Sequence, residues 1–560
     1  MDLDEPTSGP QEPSKLARAE ALLSRILPPV ALCLGLVLVI VVAAHLGAGK
    51  KLNYVRQIVT IGLASLALVG WTRSWLTPKR QVLLGVLLTL FAGSAFWIQA
   101  AQQARHLGED KQIYPWGVYH YYLGAKYFDE LGYKHLYDQS LVADAEETKD
   151  LKGVPKIRDL STYRFVKAKK RRKGKRLDTF SDERWSEFKA DLAFMTGLKG
   201  TDFWKQVLRD RGYNPSPSWN AIGSALTNSL SIRDRTSQTL LVLLDVLLVL
   251  SAFAVSIRAY GWTRSMFILA AFYIWFGNPN RVFGQIYNLD WFAATWAAVA
   301  CWRLGRARTA GALIGYATMV RIFPIVLLTA PIAHVGLRAI RGRPPATQHR
   351  RLLAGAVAGM VVMFALGTMG GNKGLTAWKM FGNNIVHHSS EHAYGSRRLG
   401  LQHLFGLSWS EGLEKKAVKK KNRANQEANK TLFRTIQLVL AALFLLAIIR
   451  SDDHDGLLLG AALVFVGTVA SRYYGAIFIL LMLLGCPARG DPGQSPPKPR
   501  PLPLRSLDAG LLAIVWAVYA SPLKGSEDWA TYVWANALLL AWFLALLAVR
   551  FTAHHRAVTA

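Results

Sequence analysis

The sequence predicts an all-α polytopic integral membrane protein. Three observations carry that expectation. The 560-residue chain is 51% hydrophobic. Apolar runs long enough for helical crossings, which need roughly 20 residues each, recur from residue 28 to the end. The formal charge of +31 sits largely in loops that flank those runs, where anionic lipid head groups rather than nucleic acid are the expected partner. A lipid-exposed backbone must satisfy its own hydrogen bonds, so the runs are read as helices. The three cysteines, Cys33, Cys301 and Cys486, form neither a disulfide framework nor a zinc spacing.

Taken in order, residues 1–27 read as a cytoplasmic tail. They are acidic as well as basic, unlike the short basic start of a signal peptide, and the apolar run behind them is too long for one. Spans are expected at 28–48, 55–76 and 81–101, which makes 28–101 the first membrane unit. Residues 102–236 form a large extracytoplasmic loop, and 237–369 form a core with spans at 237–257, 265–277, 289–303 and 352–369. A second extracytoplasmic loop covers 370–431. The remaining spans fall at 432–449, 456–470, 473–486, 507–522 and 531–549, with a Pro-rich extended linker at 487–505 and the last helices and tail in 506–560.

Residues 309–337 are too long for one helix and carry Arg321 and Pro324 near the middle. Both flanks are basic (Arg303, Arg306 and Arg308 before, Arg338, Arg341 and Arg343 after). Positive charge marks the cytoplasmic side, so the segment is expected to enter and return as two short helices that break near Arg321. Proline, which cannot continue the helical ladder, fits the break. This gives about 12–14 full or partial crossings with both termini inside. Lys50, Lys51 and Arg56, in the first outer loop, run against that orientation.

The first large loop opens on "EDKQIYPWGVYHYYLGAKYFDELGYKHLY" from Glu109. Residues 117–131 read as an amphipathic helix in the membrane interface, with Lys126, Asp129 and Glu130 facing solvent. Glu109 and Asp110 sit at the bilayer edge, where a base would stand between a lipid substrate and a water-soluble one. Further on, "KAKKRRKGKR" (167–176) has eight basic residues in ten and reads as a disordered, solvated run, with contact to anionic lipid or phosphate the alternative. Residues 181–211 read as surface helix.

Between two short apolar runs lies "NPNRVFGQIYNLDWF" (278–292). Arg281, Gln285, Asn288 and Asp290 crowd this outer loop, and amide side chains suit sugar hydroxyls because they both donate and accept. An arginine as deep as Arg321 normally faces a cavity or a partner, and its fork matches phosphate oxygens. Asp290 is a candidate ion-pair partner for it. Arg472 and Tyr473 mark another outer helix junction. Asp245, mid-way through an apolar helix, suggests either an ion path or a clamped structural residue, and the structural role is favoured. His388 and His392 stand at helical spacing with Glu391 between, but outer-loop histidines without a second motif are not expected to hold a metal.

Together these pieces resemble the GT-C glycosyltransferases that use polyprenyl-phosphate sugars, in particular the bacterial polyprenyl-phosphate-mannose mannosyltransferase branch. Gly284, Gln285 and Asn288 match a G-Q-x-N outer motif, with one extra residue before the asparagine. Gly311, Gly315, Ala317, Arg321 and Pro324 match a following G-x-x-x-G-x-A…K/R-x-x-P stretch. The resemblance covers residues 100–140 and 270–340. It implies a GT-C-like bundle in a cell membrane, a bacterial inner membrane with the site facing the periplasm or exterior. It implies a catalytic acid in the first large loop, carried over to Asp110 with Glu109 second. The chain departs from the pattern where "YPWGVY" has no acid, and where two extra helices precede the family-like core.

The resemblance further implies a lipid-linked sugar donor and a glycan, lipid or protein acceptor. The sugar would be mannose or another hexose or pentose, and no cofactor or metal would be needed. Arg321, with Arg472 or Arg281, would stabilise the departing phosphate. Gln285, Asn288, Asp290, Trp116, His120 and Tyr473 would hold substrate. A transporter or flippase for a lipid-linked saccharide is the alternative, since broken helices also bind transported substrates.

Overall fold

The computed structural model describes residues 50–69, 83, 86–88, 90–91, 93–95, 113–277, 284–392, 397–406, 415–486, 502–521 and 528–559. The expected span 28–48, most of 81–101, and the candidate residues Glu109, Asp110 and Arg281 lie outside them. The protein is an all-α polytopic membrane protein. Among the described residues six helices are long and apolar enough to cross a membrane: Arg235–Tyr260, Phe323–Ile340, Thr347–Met369, Lys430–Ile449, Leu502–Ala520 and Trp529–Thr552.

The helices that position the site are α1 (Pro217–Ser229), α2 (Arg235–Tyr260), α3 (Trp262–Ile274), α4 (Asp290–Arg303), α5 (Ala307–Val320), α6 (Thr329–Ile340), α7 (Thr347–Met369), α8 (Leu375–His392), α9 (Lys430–Ile449) and α10 (Asp453–Leu459). Their boundaries follow local chemistry. Ser216 caps α1, accepting from Trp219 N at 3.2 Å, and Pro217 fills a first-turn position whose N–H would have no partner anyway. Asp234 caps α2 through Ser237 N at 2.7 Å. Gly261, at φ 82°, ends that helix in a conformation that favours glycine.

Glycines set the centre of the core. A Cβ on Gly311 would lie 1.9 Å from Leu352 O, and one on Gly315 would lie 2.4 Å from Ala356 O. In return, Gly355 and Gly359 on α7 approach the carbonyls of Arg308 and Ala312 on α5. Only hydrogen fits at such contacts, the small-xxx-small mode of close helix packing. The contacts rise together in sequence, so α5 and α7 run parallel. The chain between them must therefore return. It does so through Arg321, a 3₁₀ segment Phe323–Leu328 and α6. The expected break near Arg321 is thus a turn between a rising and a returning segment.

Residues 113–236 pack as a unit with a core of their own, built on Tyr119, Tyr127, Trp185, Phe188 and Trp204 and seated on Leu241, Val242 and Ile286. The segment 117–131 is helical, but not as one regular helix. It breaks into Pro115–Val118, a π-turn Tyr119–Leu123, Gly124–Lys126 and Phe128–Leu131. Its expected solvent face is covered. Lys126 is buried and pairs with Asp191 and Glu187, both at 2.7 Å. Asp129 accepts from Asn372 N, and Glu130 pairs with Arg184 at 2.7 Å. A single-sequence pattern cannot show that another loop folds over a polar stripe.

The basic run 167–176 carries a short helix, which corrects the expectation of an unstructured stretch, while Lys169, Lys170, Lys173 and Lys175 are exposed as expected. β1 (Lys156–Arg158) and β2 (Phe165–Lys167) pair antiparallel ahead of a short helix Ala168–Arg172. Within that helix Arg171 reaches Asp159 at 2.7 Å, and Arg172 donates to the Val154 carbonyl at 3.1 Å. Expected spans 456–470 and 473–486 are short pieces instead: α10, Ala462–Gly467, and a 3₁₀ segment Tyr474–Leu483.

Candidate active site

Arg321 lies at the turn between α5 and the 3₁₀ segment. Its backbone is extended (φ −143°, ψ 112°), with its N–H still bonded to Ala317 O at 2.8 Å. The guanidinium is buried, 8% exposed. It donates to Val320 O at 3.0 Å and reaches the Tyr121 hydroxyl at 3.4 Å. Among the described residues no carboxylate comes within ion-pair distance of it. Asp290, the expected partner, is held instead by the Tyr316 hydroxyl at 2.9 Å, which itself lies 2.6 Å from the Tyr287 hydroxyl.

Gln285 and Asn288 are buried beside the same region. Gly284, at φ 72°, turns the chain, and its carbonyl accepts from Tyr114 N at 2.7 Å. Gln285 packs so close to Gly117 that a Cβ there would lie 1.7 Å from Oε1. Gly117 and Tyr121 are four residues apart, about one helical turn, so one segment touches both Gln285 and Arg321. The loop is fixed from below by Asp245. Its carboxylate accepts from Asn288 N at 2.8 and 3.0 Å and from Leu289 N at 2.8 Å. Asp245 is therefore a clamp on the start of α4, the structural role favoured from the sequence.

A second basic group adjoins the first. β3 (Arg398–Leu399) pairs antiparallel with β4 (Ala470–Ser471), and Arg398 Nη1 donates to Ser471 Oγ at 2.7 Å. Arg472 and Tyr473 follow directly. Arg472 donates to the Tyr532 hydroxyl and lies over that ring. Tyr473 sits 4.2 Å from Tyr474, which packs against Phe323 and Trp291. Tyr473 is within electrostatic reach of both Arg321 and Arg398. Burial first, then the charge of Arg211, pulls Arg398 down to about 9. Burial and the Arg211 and Arg398 charges pull His388 down to about 3, so it is neutral. Its Nδ1 is 3.2 Å from the Tyr163 hydroxyl. Among the described residues Asp290 and Asp210 are the acids within electrostatic reach of this group.

His120 and Trp116 are engaged within the loop unit. His120 is buried between Tyr137 OH (2.6 Å) and the Trp116 carbonyl (2.7 Å). The Trp116 indole donates to Asp210 at 2.9 Å. Both tie the loop unit together. Sequence reasoning missed Tyr121, Arg398, Arg211 and the exposed Asp210. Arg398 was visible only as a basic residue behind "HHSSEHAYG", and no local pattern joins it to Arg472, 74 positions away.

Residues 235–471 match glycosyltransferase family 87. The match takes in Asp245, Gln285, Arg321 and Arg398 and stops immediately before Arg472. No curated protein and no solved structure matches the chain. The helical membrane fold and this match define the class: the protein is a membrane glycosyltransferase.

Proposed function

We propose that the protein moves a sugar from a polyprenyl-phosphate donor to a hydroxyl group on a glycan, lipid or protein acceptor, at the extracytoplasmic face of a cell membrane. Mannose or another hexose or pentose is the transferred group. One observation supports this reading: Arg321 is a buried guanidinium at a helix break, facing a tyrosine hydroxyl and, among the described residues, with no carboxylate within ion-pair distance. Burying an unpaired cation is expensive. An anionic group that arrives with the substrate offsets that cost.

A departing lipid phosphate is such a group. As the acceptor oxygen attacks the anomeric carbon, the bond from that carbon to the phosphate oxygen breaks and negative charge grows on the phosphate. Arg321, with Arg472 and Tyr473, would stabilise that charge, which is where a fixed cation lowers a barrier most. Gln285, Asn288 and Asp290 would line the sugar. The acceptor proton needs a base, and Asp110 is our assignment, with Glu109 second. Tyr114 N is bonded to the Gly284 carbonyl. Asp210 is the exposed alternative. The flippase alternative draws nothing from Asp245, whose carboxylate is engaged by backbone.

The test is sugar transfer from radiolabelled polyprenyl-phosphate mannose by purified protein, beside an Asp110→Asn variant. Transfer by the parent and none by a folded variant supports both donor and base. Equal transfer by the two moves the base to Glu109 or Asp210.

A further inference from the structure

At the end of the core opposite Arg321, three side chains from three helices converge. Asp453 Oδ1, at the start of α10, lies 3.1 Å from His334 Nδ1 on α6 and 3.0 Å from His349 Nε2 on α7. One donor atom from each residue falls within a 4.8 Å span. We propose that His334, His349 and Asp453 form a binding site for a divalent transition-metal ion, zinc by its donor set, which staples the returning segment α6 to α7 and α10.

The chemistry of the ligands points to the ion. Two imidazoles and one carboxylate are an N/O set that zinc accepts, with a fourth position left for water. Tetrahedral bonds of ~2.0–2.1 Å set neighbouring ligand atoms ~3.3–3.4 Å apart. The two separations here need to open by only a few tenths of an ångström.

The surroundings hold these ligands in place. The His349 ring stacks on Trp302 at 5.9 Å, and the Trp302 indole donates to the Asp453 carbonyl at 3.1 Å. The Gln348 amide binds the other Asp453 carboxylate oxygen. His349 Nδ1 is buried without a hydrogen-bond partner, so Nε2 is the one ring atom through which His349 makes a polar contact. The site has a buried floor and an open side: side-chain exposure is 5% at His349 and 34% at Asp453. An ion can enter from solution.

A neighbouring group, Asp452, His454 and Asp455, is already engaged. Asp452 caps α10, and Asp455 pairs with Arg550 at 2.7 Å and accepts from Gly485 N.

The experiment uses the full chain in detergent, purified without a polyhistidine tag, stripped by chelator and dialysed against zinc. We expect one zinc per chain, and an intense visible absorption when Co²⁺ is used in its place. His334→Ala and Asp453→Asn should each weaken zinc binding by more than the ~10–100-fold that loss of an outer-shell partner costs. Asp453→Asn keeps the shape and removes the charge, so it decides the matter if His334→Ala fails to fold. Substoichiometric uptake by the folded parent, or unchanged uptake by a folded Asp453→Asn protein, overturns the proposal. Zinc uptake is read independently of sugar transfer, so either reading can fail alone.

Discussion

The Arg321 guanidinium and the Tyr121 hydroxyl meet at 3.4 Å across 200 positions of sequence. The contact joins the turn of the broken helix to the first segment of the large loop unit. It leaves most of the arginine's donors for a ligand. Replacing Arg321 with Gln should lower kcat/KM by about 10²–10³-fold, the loss typical of one charge-stabilising donor. The thermal midpoint should hold, because among the described residues no carboxylate is within ion-pair distance of Arg321. A midpoint that collapses along with activity would make Arg321 a structural residue.

Asp245 predicts the opposite pattern. Its three backbone contacts hold the Gln285 loop, and hydrogen bonds to a charged group contribute about 1.5–3 kcal/mol. Asp245→Ala should destabilise the fold on the order of 2 kcal/mol, read by thermal unfolding, and transfer should fall with it. An ion pathway would instead leave stability intact.

Gly117→Ala tests the Gln285 contact. The added Cβ would fall 1.7 Å from Oε1, so Gln285 must move. We expect a higher KM for the donor or acceptor with little change in the unfolding midpoint. Gly311→Val is different, because its Cβ would meet backbone at Leu352 O. It should destabilise by about 3 kcal/mol or more, seen as loss of folded protein on size exclusion.

A pH effect follows from Asp138 in the loop unit. Burial raises its carboxyl to about 6, and the Arg171 nitrogen at 3.5 Å offsets this only in part. The fold favours the neutral acid. The resulting stability is present below the ordinary value near ~3.9 and is lost as pH rises through about 6. Asp138→Asn should therefore stabilise the protein on the order of 2 kcal/mol at about pH 8 and not at about pH 4. Unfolding curves at the two pH values check this.

Much of the fold was legible in the sequence, because lipid forces long apolar runs into helices. Arg321 and Pro324 announced their own break, since a deep charge and a missing N–H are both costly inside a helix. The Gly311 and Gly315 pair was visible as a motif, though not its partners Gly355 and Gly359. Other features could not be read. Lys126, placed in solvent by periodicity, is buried by Asp191, 65 positions away. Arg398 reaches Arg472 through a two-residue strand pair too short to leave a pattern. The partners of His120, the Tyr137 hydroxyl and the Trp116 carbonyl, left no pattern in the sequence either.

We propose that Arg321 faces the phosphate of a lipid-linked sugar. The most direct measurement is transfer from polyprenyl-phosphate mannose by purified parent and Arg321→Gln proteins of matched stability, with donor binding measured alongside. We expect transfer by the parent, a loss of about 10²–10³-fold in the variant, and weaker donor binding. Equal transfer by both proteins would contradict it.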